Sequence, residues 1–225
     1  MRNKKEVSIS LGSIIVVLLI AVLIGLIIYA YKTINEIKDV DVLLERVLTE
    51  ARAIVNADAG SIYVVEKDNL KIRYAQNDTQ QKRLDLGQKL PFQSFSFPIN
   101  EKSMCGYCVL TQEMINEPDV YAISKDKKYS FNKSSDLLTG YRSKSIIAIP
   151  LTTVNGTCLG VLQIINPQND QNEIVPFDDE AILYLKHFAT SVTQALERTY
   201  LTREMVMRMV EMAGFRDPKE TGEHV

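Results

Sequence analysis

Two places in this 225-residue chain hold residues whose types and spacing could do chemistry. The first is at the C-terminus, where Arg216-Asp217-Pro218-Lys219-Glu220-Thr221-Gly222-Glu223-His224-Val225 sets Glu220 and His224 four residues apart. On a helix that spacing stacks a carboxylate over an imidazole on one face, a pair able to share a divalent metal ion. A catalytic metal needs at least three protein ligands and an open position for water, so Glu220 and His224 are one incomplete corner of a site. The second place is Cys105-Gly106-Tyr107-Cys108, which has dithiol spacing near the expected start of a helix, where the helix dipole favours a thiolate. Two readings stand for it: a redox pair, or two small side chains packed in a core. No β-α-β unit surrounds it, as a thioredoxin-type site would require. Cys158 lies in an apolar strand and reads as core, and His187 on a long helix reads as a surface or interface residue.

Composition narrows what these residues could serve. The 26 basic and 28 acidic residues nearly cancel, and no stretch concentrates Lys and Arg as a nucleic-acid face would, so no nucleic-acid partner is expected. Three cysteines are too few, and odd in number, for a disulfide scaffold. Residues 7–31 carry no charge, and Ile14 to Ile28 are almost entirely aliphatic. About 20 apolar residues rising 1.5 Å each span a hydrocarbon layer of roughly 30 Å. Tyr29 and Tyr31 sit at one end, where aromatic rings favour the interface. The apolar core exceeds that of a signal peptide and no small-residue cleavage site follows it, so an uncleaved transmembrane helix is expected, preceded by a flank of residues 1–6. Basic residues on the two sides nearly tie, so charge does not set the orientation.

The elements that must position these groups follow in order. Ile37, Val40, Leu44, Val47, Ala51 and Ile54 recur at alternating steps of three and four, a heptad stripe on a connecting helix over 32–56. The stripe could dock on the following domain or on a second copy. Ala57-Asp58-Ala59-Gly60 ends the helix; 61–65 reads as a strand, Lys67-Asp68-Asn69 as a turn and 70–74 as its return. Gln76 to Lys89 reads as a polar loop, Phe95 to Ile99 as a short strand, and Ser103 as the cap of a helix ending near Thr111. A second hairpin joins 145–151 to 158–165, with Asn155-Gly156 supplying the positive φ angles of a tight turn. From Phe177 to about Met212 a long helix is expected, begun by Asp178 or Asp179, with Ile182, Leu185, Ala189, Val192 and Leu196 as its stripe.

That order is an α+β arrangement, an antiparallel sheet covered by helices, and over residues 40–198 it resembles a GAF domain. Leu44-Glu45-Arg46-Val47-Leu48 with Ala57-Asp58-Ala59-Gly60-Ser61-Ile62-Tyr63 is similar to the family's first helix and strand. Ser103-Met104-Cys105-Gly106-Tyr107 with Asn116-Glu117-Pro118-Asp119-Val120 is similar to its middle helix and the acidic turn after it. Thr139-Gly140-Tyr141-Arg142-Ser143, running on to Gly160-Val161-Leu162-Gln163-Ile164-Ile165-Asn166, is similar to its final hairpin. The resemblance implies a sensory module that binds a small molecule or dimerises, with Cys105, Tyr107, Tyr121, Phe131 and Tyr141 as candidate pocket residues. Members that bind cyclic nucleotides carry Asn-Lys, then Phe, three residues and Asp-Glu. Here Asn166 precedes Pro167, and Ala181-Ile182 stand where the acids would be, which argues against a cyclic nucleotide and leaves the ligand unknown. Bilin binders place a histidine after the anchoring cysteine; Gly106 and Val109 stand there, so no pigment is expected.

The last ten residues resemble the opening of HD-GYP phosphodiesterases, metal-dependent hydrolases of cyclic dinucleotides. The family's His-Asp pair occurs nowhere in the chain, so 199–225 is expected to be a helical linker and the start of a truncated catalytic domain. The resemblances imply a bacterial inner-membrane protein that crosses once, with the folded part in the cytoplasm, dimerising through its flanking helices. The chain would control a phosphodiesterase domain and hydrolyse nothing itself. The alternatives are a fragment of an active phosphodiesterase and a thiol-based redox sensor.

Overall fold

A computed structural model describes residues 20, 22, 24, 25, 40–84 and 95–214. Val40–Arg198 form one compact unit; of a second unit the described residues are 20, 22, 24, 25 and 199–214. Nearly all of the expected 7–31 span, and both Glu220 and His224, lie outside the described residues. Among the described residues no helix is long and apolar enough to cross a membrane.

The unit over 40–198 is built on one antiparallel sheet of six strands. These are β1 (Ala57–Glu66), β2 (Asn69–Asn77), β3 (Ser96–Pro98), β4 (Ile115–Glu117), β5 (Ile146–Thr152) and β6 (Cys158–Pro167), in the spatial order β3-β2-β1-β6-β5-β4. The described residues 40–54 are helical and are labelled α1, and α2 (Asp78–Gln81), α3 (Met104–Thr111), α4 (Ser134–Thr139) and α5 (Asp179–Gly214) follow. The α+β class, the antiparallel sheet covered by helices and the long C-terminal helix read from the sequence are therefore observed, whereas the expected transmembrane helix is not among the described elements. Side chains alternate across the pleat, so Tyr63, Val161 and Ile146 look to one face while Ile62, Leu162 and Ile147 look to the other. Helices α1 and α5 cover the second face: Leu44, Leu48, Ala51, Leu185 and Val192 are all buried there, as are Ile62, Leu162 and Ile147. Helix α3 and the 118–133 strap cover the first.

Helix α1 runs towards the sheet end that holds Ala57. Asp41, at the N-terminal end of its described part, pairs with Arg73 at 2.6 Å, while Arg52 near its finish donates to the Asp58 carbonyl at 2.8 Å. Helix α5 runs the other way, from Phe177, whose carbonyl meets Asn116, towards the β5–β6 turn, where Ala189 and Thr193 border a groove with Thr152 and Val154. The chain thus enters and leaves the domain at the end of the sheet that holds the hairpin turns.

Four local expectations change. The buried stripe of α1 is Leu44, Leu48 and Ala51, not the heptad set through Val47 and Ile54, which is 49% exposed. The stripe docks on the domain's own sheet, and a straight helix against a twisted sheet is contacted at steps of four and three, not along a coiled-coil seam. The helix ends earlier, at 54; Asn56 adopts a φ of 46° and Ala57 already belongs to β1. The polar 76–89 stretch is partly regular: Gln76 and Asn77 extend β2, and Asn77 caps α2 by accepting from the Gln80 amide at 2.8 Å. The second hairpin closes on a three-residue loop. Thr153 and Thr157 flank it through a 2.9 Å bond, and only Gly156, at φ 81°, takes the left-handed conformation. A type I turn followed by one left-handed glycine does this where Asn-Gly alone suggests a two-residue turn.

Candidate ligand face

The pocket candidates gather where α3 crosses the sheet. Ser103 caps α3 by accepting from the Gly106 amide at 3.0 Å. Gly106 is required by packing: a Cβ there would lie 2.3 Å from the Asn100 carbonyl oxygen. Cys105 and Cys108, one turn apart, are thereby turned inward, 4% and 0% exposed. The Cys105 sulfur accepts from Gln163 Nε2 at 3.3 Å, and the Cys108 thiol reaches the Ala148 carbonyl at 3.7 Å. Burial pushes the Cys105 thiol up to about 12; burial first, then Cys105 and Cys158 nearby, push Cys108 up as well. Both are neutral thiols at physiological pH, and this supports the core reading over the redox one, because the thiolate is the reactive form. Cys158 is half-buried, less enclosed than its strand implied.

Tyr107, Tyr121 and Phe131 join the Cys105 cluster. Tyr107 packs on Tyr129 with ring centroids 5.0 Å apart, and Tyr121 packs on Phe131 at 5.5 Å. Tyr141 is not in this apolar cluster; Asn166 Nδ2 donates to its hydroxyl at 3.0 Å, and burial first, then Asp58, pushes the phenol up. Asn166 is itself a fastener. At φ 57° and 2% exposure, its Oδ1 accepts from the Lys144 and Ser145 amides at 2.8 and 3.2 Å, and its Nδ2 also donates to the Arg142 carbonyl at 2.7 Å. Asparagine tolerates the left-handed region better than most residues.

Two buried carboxylates hold the strap that closes this face. Glu117, 7% exposed, accepts from the Tyr129 hydroxyl and from Lys127 Nζ at 2.8 Å; that bond, with a second to Tyr129, raises the lysine. Asp136, 7% exposed, accepts from the Tyr121 hydroxyl at 2.9 Å and from the Ser143 amide and hydroxyl, each at 2.8 Å. The Arg142 guanidinium stacks 3.3 Å from the Tyr121 ring centroid, and Lys133 lies 4.8 Å from it. The result is an aromatic cluster with a polar rim.

Glu117, Tyr129, Asp136 and Gln163 were missed as site residues from the sequence. Gln163 carried a signal, being the one amide side chain in the apolar run from Cys158 to Ile165. Glu117 stood in the acidic turn already noted, whereas nothing local distinguished Asp136 or Tyr129. Among the described residues no group of three or more His, Cys, Asp or Glu side chains is placed to hold a metal ion.

Residues 39–196 match the GAF domain family. The chain is 29% identical over 160 residues to a cGMP-specific 3',5'-cyclic phosphodiesterase of Drosophila virilis, covering 69% of this chain and 17% of that protein. It is 30% identical over 160 residues to its counterpart in Drosophila ananassae, covering 69% of this chain and 13% of that protein. The chain thus spans less than a fifth of these relatives' length. Among solved structures, the GAF domain region of a putative membrane protein from Geobacter sulfurreducens PCA superposes with a TM-score of 0.55 at 14% identity, over 74% of this chain and 98% of that one. A GAF domain/HD domain protein from Geobacter sulfurreducens gives 0.53 at 13%, over 72% and 95%. At these identities the superpositions speak for the fold alone.

Proposed function

Because this chain belongs to the GAF domain family, a family of regulatory and sensory modules, we propose that it is a membrane-anchored sensor whose helices α1 and α5 carry a signal between copies and onward to an output domain. In this reading residues 7–31 form a single-pass anchor in a bacterial inner membrane, and the folded domain is cytoplasmic. The aromatic face binds a small molecule, and a cyclic dinucleotide phosphodiesterase of the HD-GYP type, opened by the 216–225 stretch, is the output. The relatives named as cGMP-specific make a cyclic nucleotide the first ligand to try. Against it, Pro167 stands in place of the lysine, and Ala181-Ile182 stand in place of the acids.

The observation that carries the reading is a pair of helices entering and leaving at one end of the sheet with apolar residues on their outer sides. Val42, Leu43 and Leu183 are 67%, 46% and 67% exposed. Apolar residues on the outer sides of two helices that cover one sheet face suit a self-complementary interface, and a small shift of paired helices is a two-state movement. Cysteines placed at Leu43 and Leu183 in the full chain test this in membranes. Oxidation is expected to bridge copies through at least one of them. A cysteine at Leu44, 1% exposed, gives no bridge and serves as the control. Absence of bridging at both exposed positions rejects the dimeric signalling reading.

A further inference from the structure

We propose that β4, only three residues long, is the element that couples the aromatic face to α5, with Glu117 reading one side of the sheet and Asn116 acting on the other; the inference deepens the sensory reading and rests on it. Successive residues of a strand point to opposite faces. Glu117 turns to the aromatic face, where it accepts from Tyr129, the ring partner of Tyr107, and from Lys127. Asn116 turns to the helical face, where its Nδ2 donates to the Phe177 carbonyl at 3.4 Å. That carbonyl belongs to the peptide unit shared with Asp178. Asp178 begins α5: its carboxylate accepts from the Ala181 amide at 2.8 Å and its carbonyl from the Ile182 amide at 3.0 Å. One short strand therefore joins the strap over the ligand face to the cap of the helix that leaves the domain.

The joint is loosely made, which suits a moving part. The Asn116–Phe177 bond is long, and Asn116 Oδ1 is buried with no hydrogen-bond partner among the described residues. The same holds for Ser145 Oγ, in the residue just before β5, which is 0% exposed. The unsatisfied Asn116 Oδ1 beside the cap is a bond left unmade, a free-energy cost that an alternative pose can recover. As an edge strand, β4 pairs among the described residues only with β5, through Ile115–Ala148, Asn116–Ile147 and Glu117–Ile146. It can tilt without breaking a second ladder. A ligand that displaces Tyr129 from Tyr107 would pull on Glu117, and the tilt would reach Asn116 and the cap.

Amide hydrogen exchange on the full chain in detergent micelles tests this without a ligand. Tyr129→Phe keeps the ring and removes the hydroxyl that Glu117 accepts. It is expected to speed exchange at Ala181 and Ile182 about tenfold, the effect of one lost buried hydrogen bond felt at the cap. Asn116→Ala is expected to do at least as much, and the double variant no more than Asn116→Ala alone. Tyr63→Phe, which loses the 3.3 Å bond to Gln163 elsewhere on the same face, should leave both amides unchanged, and all variants should leave Ile72 in β2 unchanged. Unaltered exchange at Ala181 and Ile182 in Tyr129→Phe, or additive effects in the double variant, overturns the proposal. The readout needs neither a second copy nor an output domain, so its failure is separable from failure of the cross-linking.

Discussion

At the scale of residues, the dithiol spacing that stands out in the sequence has a packing cause. Gly106 is needed against the Asn100 backbone, and Cys105 and Cys108 are then the two positions one turn apart that face the core. A thiol reagent is therefore expected to leave both unreacted in the native protein and to label them after unfolding; rapid native labelling would restore the redox reading. The raised thiols also carry a pH dependence. Below about 9 both states hold the proton and nothing is at stake, whereas above it the unfolded chain loses protons that the folded Cys105 keeps until about 12. Stability should fall as pH rises through that window, measurable as a declining midpoint of denaturation. Asn166 allows a sharper test, because Asn166→Gly keeps the left-handed φ while removing four hydrogen bonds. A loss of about 3 kcal/mol is expected in denaturant unfolding, two or three buried bonds' worth after relaxation. The single asparagine before Pro167 was visible in the sequence; its role as the fastener of the 141–145 segment was not, since all its partners but the Tyr141 hydroxyl are backbone groups with no side-chain signature.

Elements were legible where local chemistry dictates them. Ser103 capping α3 and the apolar β5–β6 pair stand as read, and of Asp178 and Asp179 it is Asp178 that caps α5, because caps and doubly buried strands are written in adjacent residues. Choices made by tertiary contact were not legible. Leu48 faces the sheet where Val47 was expected to share the stripe, because Leu48 closes over Gly60, reaching within 3.0 Å of where a Cβ would stand. Nothing in 76–89 alone shows that Asp78 pairs with a buried Arg52 at 2.7 Å, which fixes α2 against α1. The close approach of β1 and β6 gives an element-scale prediction. A Cβ on Gly160 would lie 2.0 Å from the Tyr63 carbonyl oxygen, inside the sheet ladder. Gly160→Ala should therefore cost more than the 1–3 kcal/mol or so typical of overpacking, and thermal unfolding should show a large drop in Tm or loss of a cooperative transition. An unchanged Tm would mean that the two strands are not this tightly apposed.

As a whole, the described molecule is a regulatory domain of the GAF family. Its buried carboxylates, Glu117 and Asp136, are committed to tyrosine, lysine and serine partners, and its cysteines are neutral. The Glu220 and His224 pair proposed to open a phosphohydrolase domain supplies two ligands where a metal-bound nucleophile needs three or more. The most direct test is therefore to assay the purified full chain in detergent, with manganese or iron, for hydrolysis of cyclic dinucleotides and cyclic mononucleotides. No turnover above the metal-only blank is expected, and Glu220→Ala should change nothing. Phosphodiesterase activity that His224→Ala abolishes would contradict the account and make the chain a catalyst in its own right.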